Sequence, residues 1–92
     1  MNLLKSDEII FSHNAWEDYI SWQKEDKKIL KRINLLIRDI QRTRFAGVWN
    51  PEPLKYGLAG LLSRRITREH RLVYGIKEDN VIIYGCKYHY DR

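Results

Sequence analysis

The sequence has very little cysteine and no long apolar run. Cys86 is its only cysteine, so a disulfide within the chain is impossible and a zinc site built on cysteines is not expected. No apolar run approaches the roughly 20 residues that a helix needs to span a bilayer. The first residues also lack the apolar stretch and cleavage site of a secretory signal. These absences exclude disulfide-stabilised and membrane-spanning proteins, and they predict a cytoplasmic protein.

Several motifs of common enzyme classes are also missing. The sequence contains no glycine-rich phosphate loop, no nucleophile elbow and no cluster with metal-ligand spacing. We therefore expect neither a nucleotide cofactor nor a bound metal.

The length and net charge of the chain indicate how many domains it has and what kind of partner it favours. A chain of 92 residues is long enough for one hydrophobic core, so we expect a single domain over 1–92. Seventeen Lys and Arg against twelve Asp and Glu give a formal charge of +5. This balance favours a polyanionic partner through steering and counterion release, although many basic proteins never contact nucleic acid.

The first half of the chain predicts a short strand and two amphipathic helices. The apolar run 9–11 predicts the strand, and Ser12 and Asp26 can each cap a helix. The apolar face of the first helix comprises Ala15, Trp16, Tyr19, Ile20 and Trp22. The second helix carries Ile29, Leu30, Ile33, Leu36, Ile37 and Ile40 on one side and Lys27, Lys28, Lys31, Arg32 and Arg38 on the other. This basic stripe is typical of a solvated helix face, with a secondary contact to RNA or the ribosome as the alternative.

The second half predicts a loop followed by three strands. Glycine and proline interrupt the periodicity over 42–60, which predicts a loop crossing the domain. Aromatic and β-branched residues then predict strands at 62–67, 71–76 and 81–88. The expected fold is α+β, with two N-terminal helices packed on one face of a small, mainly antiparallel β-sheet.

A turn at 78–80 would pair Lys77 with Val81 in the last hairpin. This register places an apolar set on one face: Leu72, Tyr74, Ile76, Ile82, Tyr84 and Cys86. The opposite, open face then carries Arg71, Val73, Gly75, Ile83, Gly85, Lys87 and His89, and Arg65 joins it from the preceding strand. Such a basic face, with glycines that leave space, predicts a phosphate-binding platform. The alternative is the ordinary solvated face of a sheet.

Two residues could supply acid–base chemistry to a ribonuclease that uses no metal. Such an enzyme needs a base for the ribose 2′-hydroxyl, an acid for the leaving 5′-oxygen and cations for the developing charge. Glu52, restricted between two prolines, is the candidate base, and His89 is the candidate acid because histidine titrates near neutral pH. Taken singly, Glu52 is also explained as a solvent-exposed loop carboxylate and His89 as a surface histidine.

The other histidines and the neighbouring tyrosines receive different assignments. Strand alternation favours Tyr88 as a core residue and leaves Tyr90 to stack on a base. His13 and His70 have no comparable setting and are assigned no chemistry.

Six short sequence blocks occur in the same order and with the same spacing as in a known protein family. They are Trp16-Glu17-Asp18-Tyr19, Trp22-Gln23, Pro51-Glu52-Pro53-Leu54-Lys55, Ser63-Arg64-Arg65-Ile66, Glu69-His70-Arg71-Leu72-Val73-Tyr74 and Lys87-Tyr88-His89-Tyr90. With matched spacing from about Ile9 to Tyr90, they resemble the YoeB toxins of the wider RelE-like group. The resemblance implies a microbial-ribonuclease-like fold and a metal-independent endoribonuclease toxin of a type II toxin–antitoxin system. Such a toxin cleaves mRNA in the ribosomal A site by general acid/base catalysis, through a 2′,3′-cyclic phosphate, and thereby inhibits translation.

The resemblance also implies partners and residue roles. A YefM-like antitoxin and the ribosome with its mRNA are the expected partners, and related toxins suggest a homodimer. By position, Glu52 matches the general base, His89 the general acid, Arg65 and Arg71 the phosphate-binding arginines, and Tyr90 a substrate contact. Lys55 matches a further basic residue near the site, and Arg64 and Lys87 are added as predicted RNA contacts.

Two other functions remain open from the residues alone. The first is a non-catalytic RNA- or ribosome-binding module that uses the same basic face. The second is a small DNA-binding regulator, against which the absence of a recognisable helix-turn-helix pair argues.

Overall fold

A computed structural model of the chain describes residues 8–43, 52–53 and 60–88, which form two helices and five strands. In chain order these elements are β1 (Ile9–Phe11), α1 (His13–Glu25), α2 (Lys27–Thr43), β2 (Glu52–Pro53), β3 (Leu62–Arg65), β4 (Arg71–Lys77) and β5 (Asn80–Gly85). The strands form one sheet in the order β1-β5-β4-β3-β2. β1 runs parallel to β5, and the other neighbouring strands are antiparallel. The predicted α+β fold with a mainly antiparallel sheet is confirmed.

Both predicted helix caps are present. The Ser12 hydroxyl accepts a hydrogen bond from the Ala15 amide at 3.1 Å. Asp26 Oδ1 accepts from the amides of Lys28 and Ile29 at 3.0 and 3.2 Å. Since these caps satisfy amide groups that lack partners within the helix, each stabilises its helix by about 1 kcal/mol. Asp26 also ends α1, so a single residue separates the two helices.

The hydrophobic core lies between the two helices and one face of the sheet. The buried cluster comprises Ala15, Trp22, Ile33, Leu36, Ile40, Ile66, Leu72, Tyr74, Val81, Ile83 and Cys86. Cys86 is therefore core filling, as predicted. The apolar face of α1 is only partly covered, because Trp16 and Ile20 remain 47% and 36% exposed. No helix within the described ranges is long and apolar enough to cross a membrane.

A buried ion pair ties α2 to the sheet. The Arg64 guanidinium is fully buried, and its Nη1 lies 2.6 Å from Asp39 Oδ2. Its Nε donates a hydrogen bond to the Tyr74 hydroxyl at 3.1 Å, and Arg42 also donates to Asp39. Burial opposes ionisation of Asp39, but the hydrogen bonds from Arg42 and Arg64 outweigh it and hold its pKa below the usual range.

The predicted loop at 42–60 is wrong at two points. α2 continues to Thr43, and residues 52–53 form β2, which pairs with β3. Local composition cannot show such pairing, because the partner strand lies further along the chain. The later strands also end earlier than predicted: β3 stops at Arg65 and β5 at Gly85. After β3, the amides of Ile66 and Thr67 both donate to the His70 carbonyl, which closes a turn.

The predicted register of the last hairpin is also wrong. Lys77 pairs with Asn80 instead of Val81, because the turn has only two residues, Glu78 and Asp79. Both adopt left-handed backbone conformations, with φ of 52° and 68°, as a type I′ turn requires. Near the turn, this change moves each side chain of β5 to the opposite face from the one predicted.

A β-bulge in β5 then restores the apolar face. Tyr74 pairs with Ile83 and Val73 pairs with Gly85, so Tyr84 is the extra residue. Ile83 is buried in the core, whereas Tyr84, predicted to be internal, is 36% exposed. Beyond the bulge the chain returns Cys86 to the core.

The first turn of α1 stabilises this bulge. The carbonyl of Tyr84 accepts hydrogen bonds from Ser12 Oγ and Asn14 Nδ2, each at 3.2 Å. The bulged residue therefore has side-chain donors for its carbonyl, and these donors come from the other end of the described chain.

Candidate active site

Two arginines lie directly opposite each other on neighbouring strands. Arg65 of β3 pairs with Arg71 of β4, and the Arg65 side chain is exposed while that of Arg71 is half-buried. Like charges at opposed positions of an antiparallel pair repel each other. A phosphate bound between them would replace this repulsion with charge-assisted hydrogen bonds. This end of the sheet is therefore suited to an anion.

Ser63 fixes the side chain of Arg71. Arg71 Nε donates to Ser63 Oγ at 2.9 Å, and Ser63 is 1% exposed. Ser63 is also the register partner of Glu52 in β2, so the strand that carries the candidate base lies beside it. Ser63 is not among the predicted site residues, although strand alternation places it on the same face as Arg65.

After β5, the chain is bound to α1. The Cys86 amide donates to Asp18 Oδ2 at 3.0 Å, and its carbonyl accepts from the Trp22 indole at 2.9 Å. Burial, and then the negative charge of Asp18, raise the pKa of the Cys86 thiol to about 12. The thiol therefore stays protonated at neutral pH and is not a nucleophile. Within the described ranges, no three His, Cys, Asp or Glu residues form a group that could hold a metal ion.

Lys87, predicted as an RNA contact on the open face, does not lie on that face. Its ammonium group bonds to Ser21 Oγ and Glu25 Oε2, each at 2.8 Å, and lies 4.6 Å from the centroid of the Trp22 ring. The reason is that β5 ends at Gly85, so strand alternation no longer determines the side of residue 87. Lys87 anchors the chain to α1.

Arg64 is likewise unsuited to its predicted RNA contact. Its fully buried guanidinium is bonded to Asp39 and Tyr74 in the core. Exposing it to bind a phosphate would break this buried ion pair, at a cost of about 3–5 kcal/mol. Arg65 and Arg71 remain as the predicted cations of this face.

Tyr88 is 58% exposed, so its prediction as a core residue is wrong. Its backbone has a φ of 62°, and both of its peptide groups are bonded. The amide of Tyr88 donates to His70 Nδ1 at 2.8 Å, and its carbonyl accepts from the Arg71 amide at 3.1 Å. His70 is thus a buried residue bonded to the Tyr88 backbone. The sequence did not predict this contact.

The predicted hollow on the open face is partly filled. A side-chain carbon at Gly75 would meet Leu61 Cδ2 at 3.3 Å and Tyr84 Cε2 at 3.4 Å. These side chains cover the sheet near the hairpin turn. The space that Gly75 was expected to leave is therefore occupied by these two side chains.

The structure describes some of the predicted site residues and not others. Arg65 and Arg71 are adjacent, and Glu52 is in the next strand. Lys55, His89 and Tyr90 lie outside the described residues. The residue that precedes His89, Tyr88, is bonded to Arg71. Strand β3 and the C-terminal segment therefore meet at Arg71, β3 through Arg65 and the segment through Tyr88.

Comparison with known proteins identifies the family. Residues 11–90 match the model of the YoeB-like toxin of bacterial type II toxin-antitoxin systems. The chain belongs to this family. Toxin YoeB of Escherichia coli strain K12 is 54% identical over 82 residues, which cover 89% of this chain and 98% of that protein. The resemblance predicted from the sequence blocks is confirmed.

Solved structures of YoeB proteins from Staphylococcus aureus share the fold. A YoeB dimer has a TM-score of 0.83 and 48% identity, covering 90% of this chain and 97% of that one. A YoeB-YefM complex has a TM-score of 0.82 and 47% identity, covering 89% of this chain and 95% of that one. The chain is thus a YoeB-family toxin with the α+β fold of its relatives.

Proposed function

We propose that this toxin is an endoribonuclease that cleaves mRNA in the ribosomal A site without a metal ion. The observation that carries the proposal is the opposed pair Arg65 and Arg71, beside the strand of Glu52 and bonded through Arg71 to Tyr88. This strand arrangement supports a site that combines the two cations with a candidate base and a candidate acid. The formal charge of +5 also favours approach to RNA.

In the proposed reaction, the ribose 2′-oxygen attacks the adjacent phosphorus. Glu52 accepts the proton of the 2′-hydroxyl as the new oxygen–phosphorus bond forms. The bond from phosphorus to the 5′-oxygen breaks, and His89 donates a proton to that oxygen. The products are a 2′,3′-cyclic phosphate and a free 5′-hydroxyl, so atoms and protons balance without an added reactant.

Arg65 and Arg71 would stabilise the negative charge that accumulates on the phosphate oxygens. Preorganised donors of this kind typically contribute about 10²–10³ in rate each. Ser63 holds Arg71 in place before the substrate binds, which reduces the entropy lost on binding. Tyr90 and Lys55 are proposed as further substrate contacts.

The proposed partners are a YefM-like antitoxin and a second copy of the toxin. The Staphylococcus aureus YoeB-YefM complex and YoeB dimer support them. Trp16, Ile20 and Leu35 expose apolar surface that either partner could cover. Expression of the toxin alone should arrest growth, and co-expression of its antitoxin should restore it. Unimpaired growth with soluble toxin would contradict the toxin role.

The decisive experiment is primer extension on mRNA incubated with the purified chain, with and without ribosomes. We expect cleavage within the codon in the A site only when ribosomes are present. Arg65→Ala and Arg71→Ala should each lower the rate about 10²–10³-fold, and His89→Ala about 10²–10⁴-fold. Lys24→Ala, which removes an exposed cation of α1, is the matched control for the loss of one charge.

The same assay separates the proposal from its alternative. Ribosome binding without cleavage would establish a non-catalytic binding module instead. If cleavage of free RNA can be driven at high enzyme concentration, it should persist in excess EDTA. Loss of that cleavage with chelator, followed by recovery with a divalent ion, would contradict the side-chain mechanism.

A further inference from the structure

His70 is the buried acceptor for the C-terminal segment. It is 7% exposed, and its Nδ1 accepts the amide hydrogen of Tyr88 at 2.8 Å. A backbone amide can only donate, so Nδ1 carries no proton in this arrangement. The imidazole is therefore neutral here and carries its proton on Nε2.

The ring of His70 is held on several sides. The His70 ring is nearly perpendicular to the Trp22 ring, with centroids 4.7 Å apart and planes at 81°. The Tyr88 ring lies 5.0 Å away on a tilted plane. The His70 amide donates to Thr67 Oγ1, and its carbonyl accepts from the Ile66 and Thr67 amides. The turn between β3 and β4 thus holds His70 through contacts that do not involve the C-terminal segment.

The consequence for Tyr88 is that two of its backbone groups are bonded to consecutive residues. Its amide is bonded to His70, and its carbonyl is bonded to the amide of Arg71. That carbonyl belongs to the peptide group that joins Tyr88 to His89. The Tyr88 backbone is also left-handed, with a φ of 62°, a conformation that costs energy for a bulky residue and therefore needs such bonds.

We infer that His70 is a positioning residue for the general acid. By accepting the hydrogen bond of the Tyr88 amide, it fixes the backbone that leads into His89, next to Arg71, the first residue of β4. This inference rests on the proposed ribonuclease function. A histidine suits the role because its ring nitrogen reaches the Tyr88 amide from the turn before β4 while the ring packs against Trp22.

Two substitutions of His70 distinguish the role of its Nδ1 as a hydrogen-bond acceptor from the role of its ring contacts. In His70→Asn, the side-chain oxygen can occupy the place of Nδ1, whereas the amide group of His70→Gln extends to the place of Nε2. Both variants lose the ring and its contacts with Trp22 and Tyr88, so each is a control for the other. We expect His70→Gln to lower kcat on programmed ribosomes about 10–100-fold, since a misplacement of about 1 Å can cost 10² in rate. His70→Asn should recover most of that loss, and KM should change little in either variant.

A substrate with a different leaving group tests whether the lower kcat of His70→Gln arises from impaired protonation by His89. An mRNA with sulfur in place of the 5′-oxygen at the scissile bond releases its leaving group without protonation. The deficit of His70→Gln should then largely disappear, as it should for His89→Ala. Tyr74→Phe removes a buried hydroxyl bonded to Arg64, away from His70, and is the control for general destabilisation. Its effect should be the same on both substrates.

Nuclear magnetic resonance tests the anchoring itself, independently of cleavage. Long-range nitrogen–proton correlations in the wild type should show the Nε2–H form of His70. The Tyr88 amide hydrogen should exchange slowly with solvent in the wild type and in His70→Asn. It should exchange rapidly in His70→Gln. Where the wild type cleaves, equal rates for His70→Asn and His70→Gln, or equal losses on oxygen and sulfur substrates, would overturn the positioning role. Failure of the wild type to cleave would instead overturn the proposed function, while the resonances would still report whether His70 holds Tyr88.

Discussion

A buried hydroxyl holds one of the two proposed phosphate-binding side chains. Ser63 Oγ accepts from Arg71 Nε, and its removal would take away one hydrogen bond that orients the Arg71 side chain. We predict that Ser63→Ala lowers the cleavage rate about fivefold, because one such hydrogen bond is worth about 1 kcal/mol. Single-turnover primer extension would measure the effect.

A double-mutant cycle provides the control for this prediction. If Ser63 acts through Arg71, then Ser63→Ala should have no further effect on the rate in an Arg71→Ala background. Additive losses would show that the hydroxyl acts on the substrate or on another group instead.

The adjacent residues Arg64 and Arg65 have the same charge, but Arg64 is buried and Arg65 is exposed. Strand alternation already groups Arg64 with Ile66, which turns inward, and leaves Arg65 on the open face. The structure confirms this alternation, since Arg64 and Ile66 are fully buried and Arg65 is exposed. The assignment of Arg64 to RNA came from its charge alone. Its buried partner, Asp39, could not be identified from spacing.

Among the secondary-structure elements, the turn between β4 and β5 has an unusual sequence for its geometry. Glu78 and Asp79 both have positive φ, a conformation that favours asparagine and glycine in type I′ turns. We predict that Glu78→Asn raises the free energy of unfolding by about 0.5–1 kcal/mol, because asparagine tolerates the left-handed region at lower cost. Thermal or urea unfolding would measure the change.

Two further variants control this prediction. Glu78→Gln removes the same charge without improving the turn, so its stability should stay near that of the wild type. Glu78→Val should lower stability, since a β-branched residue fits the left-handed region poorly. Equal stability of the asparagine and valine variants would show that backbone conformation at this position does not limit stability.

Across the molecule as a whole, the Asp39–Arg64 pair links α2 with the sheet and makes stability depend on pH. The folded-state pKa of Asp39 is lowered, so its ionised form stabilises the fold at neutral pH. That contribution is complete above the unfolded pKa of about 3.9 and is lost as the pH falls through the lower, folded value. We predict that Asp39→Asn costs about 3 kcal/mol at pH 7 and that its difference from the wild type shrinks below about pH 4.

Urea denaturation at a series of pH values would test this pair. Glu17→Gln, which removes an exposed carboxylate of α1, is the matched control for the change in net charge. A difference between the wild type and Asp39→Asn that stays constant from neutral pH into strong acid would contradict the role given to the ion pair.

The sequence by itself determined the features that depend on neighbours along the chain. Helical periodicity and capping side chains predicted both helices and their starts at Ser12 and Asp26, and alternation predicted the outward Arg65 beside the inward Ile66. The ordered sequence blocks also identified the YoeB family. These features follow from local geometry, because a helix repeats every 3.6 residues and a strand every two.

Only the tertiary structure decided the register of the last hairpin, the strand at Glu52 and the course of the chain after Gly85. The bulge at Tyr84 depends on donors from Ser12 and Asn14, and the bonded backbone of Tyr88 depends on His70 and Arg71. No local pattern encodes these partners, because each hydrogen bond joins residues that are distant in sequence. Buried polar groups must find a partner, and the packed fold determines which partner is within reach.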